Sequence, residues 1–362
     1  MDSLIEFPHE SGLSGEIGPG IPLTSYLNSP ALESLAETIE REYYDQETPR
    51  WHYPVVLMLK LLVIKCFHQQ SYARTIYSLT QEDWHNLGVS PEDRLPHPAT
   101  LQHFVKYRLG VDGMQRVMML TGSALKRKLD GESIGIIDST PLEASRYNQD
   151  APYNPHYQIK MDKAHIMHLG RYPLAMVYSG GTDADITHLP RLIATVAPMQ
   201  PNVVGVQLDS AYDSYEAHAQ IWYYLDAWPC IALREGAVVQ EEGTEKRIHH
   251  WVNKLWKEGG DVHAPLEEQL RFLFEQGRGE QVGMFFRNKN TLNPEFSTLL
   301  HGRGDCERVH NHIKTTVGFR LKGIRHESRE LYILLNFIVY QLLLLVGCTA
   351  EIENPSVLSA LI

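Results

Sequence analysis

SIGIIDST, residues 133–140, is a short apolar and β-branched run that stops at an acid, Asp138. Such a run reads as a buried strand delivering a carboxylate at its C-terminal end. Outward from it, HYQIKMDKAHIMH (156–168) and YPLAMVYSGG (172–181) have strand character, the second closed by Gly180 and Gly181. ITHLPRLIATVAP (186–198) has helical spacing, and NVVGVQLDSAYD (202–213) is another apolar strand, stopping at Asp209. SYEAHAQIWYYLDA (214–227) reads as the next helix and PCIALRE (229–235) as one more strand. The order β-β-β-α-β-α-β predicts an α/β fold, with helices flanking a mixed sheet.

Two of these strands stop at an aspartate. Strand ends gather at one edge of an α/β sheet, so Asp138 and Asp209 are expected to be neighbours although far apart in sequence. Two carboxylates side by side repel, and a divalent cation resolves the repulsion; an oxygen-rich site suits magnesium or manganese. Asp213 is expected inside the helix after Asp209, and Asp183 and Asp185 in a surface loop. A single strand-end aspartate is commonly just a turn or cap residue; the pair is less easily explained that way.

Further along, RGDCERVHNHIK (303–314) has helical spacing. At about 100° per residue, Arg303, Glu307, His310 and Lys314 share an arc of roughly 60°, whereas Asp305 lies about 200° from Glu307. Between residues 303 and 329 the cations Arg303, Arg308, Lys314, Arg320, Lys322, Arg325 and Arg329 outnumber Asp305, Glu307 and Glu327. Alone, this is a solvated helix face. Beside a carboxylate metal site it becomes a surface for an anionic ligand such as a phosphate backbone. The chain as a whole carries a net charge of −11, so any nucleic-acid contact has to be local.

Residues 1–30 are rich in Gly, Pro and Ser and read as an irregular arm; 31–130 read as all-helical. ALESLAETIEREYY (31–44) is periodic, Pro54 opens VVLMLKLLVIKCF, and Ser71 caps YARTIYSLTQEDWHNL, which stops at Gly88. The basic LQHFVKYRLG and VDGMQRVMMLTGSALKRKL follow, a pattern compatible with a DNA-reading helical module or with plain packing. Four scattered cysteines without a CxxC pair argue against a disulfide framework or a cysteine zinc site and suit a reducing cytoplasm. The N-terminus lacks the basic and apolar pattern of a signal peptide. LYILLNFIVYQLLLLVG (331–347) is short for a membrane span and carries Asn336 and Gln341, so it reads as a buried core helix, with no membrane partner.

Strand-end Asp138 and Asp209 followed by a helical Glu307 resemble the triad of DDE transposases with an RNase H-like catalytic domain. The helix is more specific. The group related to the fourth bacterial insertion sequence carries a signature of Tyr, Arg, Glu and Lys, and Arg303, Glu307 and Lys314 match it in type and spacing, while Leu300 stands where the tyrosine belongs. The resemblance implies an RNase H-like mixed sheet over residues 131–350, an insertion at about 236–282, a preceding helical domain and a tail at 351–362. It implies that Asp138, Asp209 and Glu307 hold two Mg²⁺ ions, or Mn²⁺, and that Arg303, Arg308, Lys314, Arg320 and Lys322 contact DNA. The implied partners are the double-stranded terminal repeats of an insertion sequence and its target DNA, bound by a homodimer in the cytoplasm at the nucleoid. A metal-dependent nuclease without strand transfer and an inactive DNA-binding descendant are the alternatives. His249 and His250, lacking a second pair at ligand spacing, read as surface residues, and His310 has no assigned role.

Overall fold

Proline at position 54 has no N–H to leave unsatisfied and a fixed φ, and the run behind it is apolar almost without a break. In a computed structural model, which describes residues 23–43, 53–90, 92–129, 133–145, 148, 150–238, 244–292, 300, 304–319, 321 and 325–353, that run is a helix buried nearly all round. It is the third of seven: α1 (Leu23–Leu27), α2 (Pro30–Tyr43), α3 (Val55–Phe67), α4 (Tyr72–Tyr77), α5 (Gln81–Leu87), α6 (Pro98–His103) and α7 (Gly110–Lys126). A π-helical turn, Phe104–Leu109, links α6 to α7.

Two expectations for this region are corrected. The stretch taken as an irregular arm already holds α1 and the start of α2. The single helix expected from Tyr72 to Leu87 is two. The Thr80 side chain accepts from the Asp83 N–H and the Asp83 carboxylate accepts from the Thr80 N–H, a reciprocal cap that starts a new helix. The two caps read from sequence are met: the Ser71 hydroxyl accepts from the Arg74 N–H, and Gly88 closes α5 at a φ of 69°.

The sheet has six strands: β1 (Ser133–Glu143), β2 (Tyr153–Asn154), β3 (Ile159–Leu169), β4 (Tyr172–Gly180), β5 (Val203–Leu208) and β6 (Trp228–Ile231). Their order is β2-β3-β1-β5-β6, with β4 also paired to β3. β1–β5 and β5–β6 are parallel and β2–β3 antiparallel, so the sheet is mixed. α8 (Leu189–Val196) packs on β4, and α9 (Tyr215–Leu225) on β6. The expected strand and helix order is met, with the short β2 added. Mixed sheet, flanking helices and a helical N-terminal region are the architecture of an RNase H-like domain with a helical region before it.

After β6 come α10 (Glu245–Lys254), α11 (Leu266–Glu275) and α12 (Gly279–Leu292). Their apolar faces close over α9 in one cluster of Ala219, Trp222, Ile248, Val252, Leu270, Leu273, Val282, Phe285 and Phe286. His249 and His250 are exposed, as expected, and the His249 ring bonds Gln269 at 2.6 Å.

The last helices are α13 (Gly304–Thr316) and α14 (His326–Glu353). α14 is long and apolar enough to cross a membrane, but 83% of its apolar window, His326–Gly347, is buried inside the protein. It packs against α1, α2, α3 and α7 as a core helix. Two of its polar residues find partners in that core: Asn336 donates to the Gly318 carbonyl, and Gln341 pairs with the Thr121 hydroxyl. By compactness the chain divides into two units, one built on residues 131–140 and 163–308, the other on 10–130, 141–162 and 309–362.

Candidate active site

Parallel pairing aligns the two strands that carry the aspartates. β1 and β5 run in register with Ile134 opposite Gly205, Gly135 opposite Val206 and Ile136 opposite Gln207. Continued by two residues, that register sets Asp138 beside Asp209, and paired residues in a parallel sheet project from the same face. Asp209 stands at a strand end as read from sequence, because β5 stops at Leu208. Asp138 does not: β1 runs on to Glu143, so the carboxylate leaves from within the strand, just past the paired segment. Both side chains are half-buried. Asp209 also caps the turn Ser210–Tyr212, its Oδ1 accepting from the Ala211 N–H at 2.9 Å.

Glu307 arrives on the first turns of α13 and is exposed. The residue before it, Cys306, is buried, and its thiol donates to Asp138 Oδ2 at 3.2 Å. That contact ties the start of the Glu307 helix to the first aspartate. Arg308 is exposed beside Glu307. Lys314 is half-buried, and burial lowers its ammonium below the usual lysine range. His310, one turn before Lys314, is buried; burial first and the Lys314 charge second push its imidazole down to about 4, so it is neutral at neutral pH. The arc drawn from sequence therefore is not one uniform cationic face. Arg303, Arg320 and Lys322 lie outside the described residues.

The rival aspartates sort differently from their sequence reading. Asp213 is not inside the next helix; it ends the turn after Asp209 and is buried. Arg287 of α12 grips it with a fork, Nε to Oδ1 at 2.8 Å and Nη2 to Oδ2 at 3.0 Å, and the Arg234 N–H adds a third bond. Burial raises its carboxyl, but those donors outweigh burial and hold it below the usual range, committing this acid to structure. Asp183 is exposed, as expected.

Asp185 is not a surface residue. Its side chain is 14% exposed, accepting from Lys163 Nζ at 2.7 Å and from the Ser139 hydroxyl at 2.9 Å. Beneath it, His165 is buried, bonds Ser179 at 2.8 Å and stacks on the His188 ring at 4.8 Å. Lys163 and His165 stand two apart on β3, and two ionisable residues on one otherwise apolar face of that strand were the available sign of this cluster.

Carboxylate oxygens are the donors a hard divalent cation prefers, and Asp138, Asp209 and Glu307 supply them. Among the described residues no three of the histidine, cysteine, aspartate and glutamate side chains converge closely enough to hold a metal ion. What makes these three candidates is donor type, the register of the strands that carry the aspartates and the Cys306 contact at the glutamate helix.

Comparison with characterised proteins and with solved structures finds no match. A family model described as transposase DDE domain matches residues 129–342, more than half of the chain. The match runs from just before β1 into α14 and takes in both aspartates and the helix of Glu307. The chain therefore belongs to the transposase DDE domain family, whose activity is of the transposase type and whose substrate is DNA.

Proposed function

We propose that this transposase performs divalent-metal-dependent strand cleavage and strand transfer at the ends of an insertion sequence of the group related to the fourth bacterial insertion sequence. The observation that supports the reading is the parallel register of β1 and β5, which aligns the segments carrying Asp138 and Asp209, together with the Cys306 contact from the helix of Glu307 to Asp138. Residues 131–350 form the catalytic domain, with 236–282 inserted before the glutamate helix. Residues 31–130 contribute to DNA contact. A homodimer on paired ends, at the nucleoid, completes the assembly.

Asp138, Asp209 and Glu307 would hold two Mg²⁺ ions, or Mn²⁺ in their place. When bound, such ions activate water or a 3′-hydroxyl and stabilise the leaving oxygen of the phosphodiester. The chain's own residues do the rest. The Cys306 thiol fixes the rotamer of Asp138 through Oδ2. The Ala211 N–H fixes Asp209 through Oδ1. Arg308, exposed next to Glu307, meets the DNA phosphates, with Arg303, Lys314, Arg320 and Lys322 extending the contact along the backbone. Hydrolytic nicking and joining are then one displacement with two nucleophiles.

The test uses duplexes covering the DNA that flanks the gene. Asp138→Ala, Asp209→Ala and Glu307→Ala each abolish Mg²⁺-dependent cleavage and joining while end binding persists. Full cleavage by any one variant removes that residue from the site. Cleavage by the parent protein without joined product would assign a nuclease instead.

A further inference from the structure

Strand β1 carries Asp138 toward α13 on one side and Ser139 toward the turn after β4 on the other, since successive side chains alternate across a strand. The Asp138 side is anchored by Cys306. The Ser139 side is anchored harder. Its hydroxyl donates to Asp185 Oδ2 at 2.9 Å, and Lys163 Nζ, 11% exposed, holds the other oxygen at 2.7 Å and the Asp183 carbonyl at 3.0 Å. The turn that Asp185 opens, Asp185–His188, packs on the turn Ser210–Tyr212 that Asp209 caps. One carboxylate thus touches the segment of Asp138 directly and belongs to a turn seated on the segment of Asp209.

We propose that Asp185, clamped by Lys163, is a positioning residue for the active site: through the Ser139 hydroxyl it fixes the strand at Asp138, and through its turn it sets the spacing between Asp138 and Asp209. The inference rests on the reading of those two aspartates as metal ligands. A buried ammonium is tolerated only with its partner in place, so the Lys163–Asp185 pair defines a single position for Asp185. The layer beneath it, His165 on Ser179 and stacked on His188, packs that position. Ser139 is the only link in the relay that can be cut without stranding a charge. Its loss frees the strand to rotate at residue 138, and the expected consequence is weaker metal capture, not weaker folding.

The full-length protein is compared as Ser139→Ala, Ser139→Thr, Asp185→Asn and Asp138→Ala. Mn²⁺ binding to DNA-free protein is read by electron paramagnetic resonance, the half-saturating Mg²⁺ by cleavage of the flanking-DNA duplex, and fold by thermal melting and metal-free end binding. Ser139→Ala is expected to weaken Mn²⁺ binding and raise the half-saturating Mg²⁺ by about 10-fold, with melting temperature and end binding unchanged. Ser139→Thr, which keeps the hydroxyl, restores both. Asp185→Asn shows the same metal defect with a lowered melting temperature, because Lys163 is left without its counter-charge. If Ser139→Ala binds Mn²⁺ within twofold of the parent while Asp138→Ala has lost it, the relay is wrong and the active-site reading stands. If Asp138→Ala keeps Mn²⁺ binding and cleavage, the active-site reading is wrong and takes the relay with it. A fall in melting temperature and end binding that parallels the metal defect in Ser139→Ala makes the role structural and overturns the proposal.

Discussion

Gly283 on α12 decides how closely that helix approaches α9. A Cβ built at this position would stand 2.7 Å from the Tyr215 Cα and inside contact distance of the Tyr215 carbonyl, the obstruction being backbone and not a side chain that can swing away. Ordinary van der Waals contact begins near 3.4 Å. The carbonyl atoms stand closer still, so the helices have to separate by more than an ångström to admit one methyl group. Two effects oppose each other in Gly283→Ala. Helix propensity favours alanine by about 1 kcal/mol. Overpacking a formed interface costs about 1–3 kcal/mol, and the upper end applies where neither backbone can yield locally. The net expectation is destabilisation by about 2 kcal/mol, a drop in melting temperature of roughly 4–8 °C for a unit of this size. Arg287 sits one turn beyond Gly283, so the same displacement loosens its fork on Asp213 and its stacking over the Tyr215 ring. Thermal melting, with urea titration as a second measure, reads the sign. A variant more stable than the parent would mean that propensity wins, and the close approach of α12 to α9 would be refuted.

Other perturbations test separate features. Lys314→Ala lowers the slope of log K for end binding against log salt by about 0.9, one phosphate contact; an unchanged slope removes Lys314 from the DNA surface. Arg329→Met takes away the guanidinium that Asp162, without solvent exposure, accepts from at 2.7 Å, and is expected to cost about 3–5 kcal/mol; denaturant titration reads the loss, and Asp162→Leu added to it recovers most of the stability. His218 is buried and burial lowers its imidazole to about 4. Its folded pKa lies below its unfolded value near 6.5, so its stabilising contribution is complete above pH 6.5 and declines as pH falls toward 4, by roughly 3 kcal/mol at most. His218→Gln is accordingly expected to flatten the fall of melting temperature between pH 6.5 and 4, and an unaltered profile would place the titration elsewhere.

Local chemistry was legible in the sequence wherever a single signal settled the matter. Pro54 before an apolar run, Ser71 and Gly88 as caps, and the stop of β5 at Asp209 are each decided by a few neighbouring residues. The errors arose where two signals competed. Apolar periodicity runs straight through residues 72–87, but the reciprocal Thr80–Asp83 cap is also written there, and it prevails because it satisfies two otherwise orphan N–H groups. The apolar run stops at Asp138 in sequence, yet β1 goes on through Pro141 to Glu143. A proline blocks a strand only where its N–H would be needed, and β1 continues past it once the paired segment with β5 is over.

The candidate site divides along the same line. Asp138, Asp209 and Glu307 stand out in sequence because a carboxylate after an apolar run, or between cations on a helix, contrasts with its neighbours. Asp185 does not, because its partners Lys163 and Ser139 come from two other strands and its burial exists only once the sheet has formed. Asp213 was misplaced for a related reason: its spacing from Asp209 suggested the next helix, yet it ends the turn before that helix, where Arg287 from a helix far along the chain holds both of its oxygens. Acids close to the same sheet edge are thus separated by their partners. Those gripped by a buried cation are part of the frame, and a metal would have to displace an arginine or a lysine to reach them. Asp138 accepts from the Cys306 thiol and Asp209 from the Ala211 N–H, neutral donors that orient a carboxylate without neutralising it, as the proposed metal-binding role asks of them.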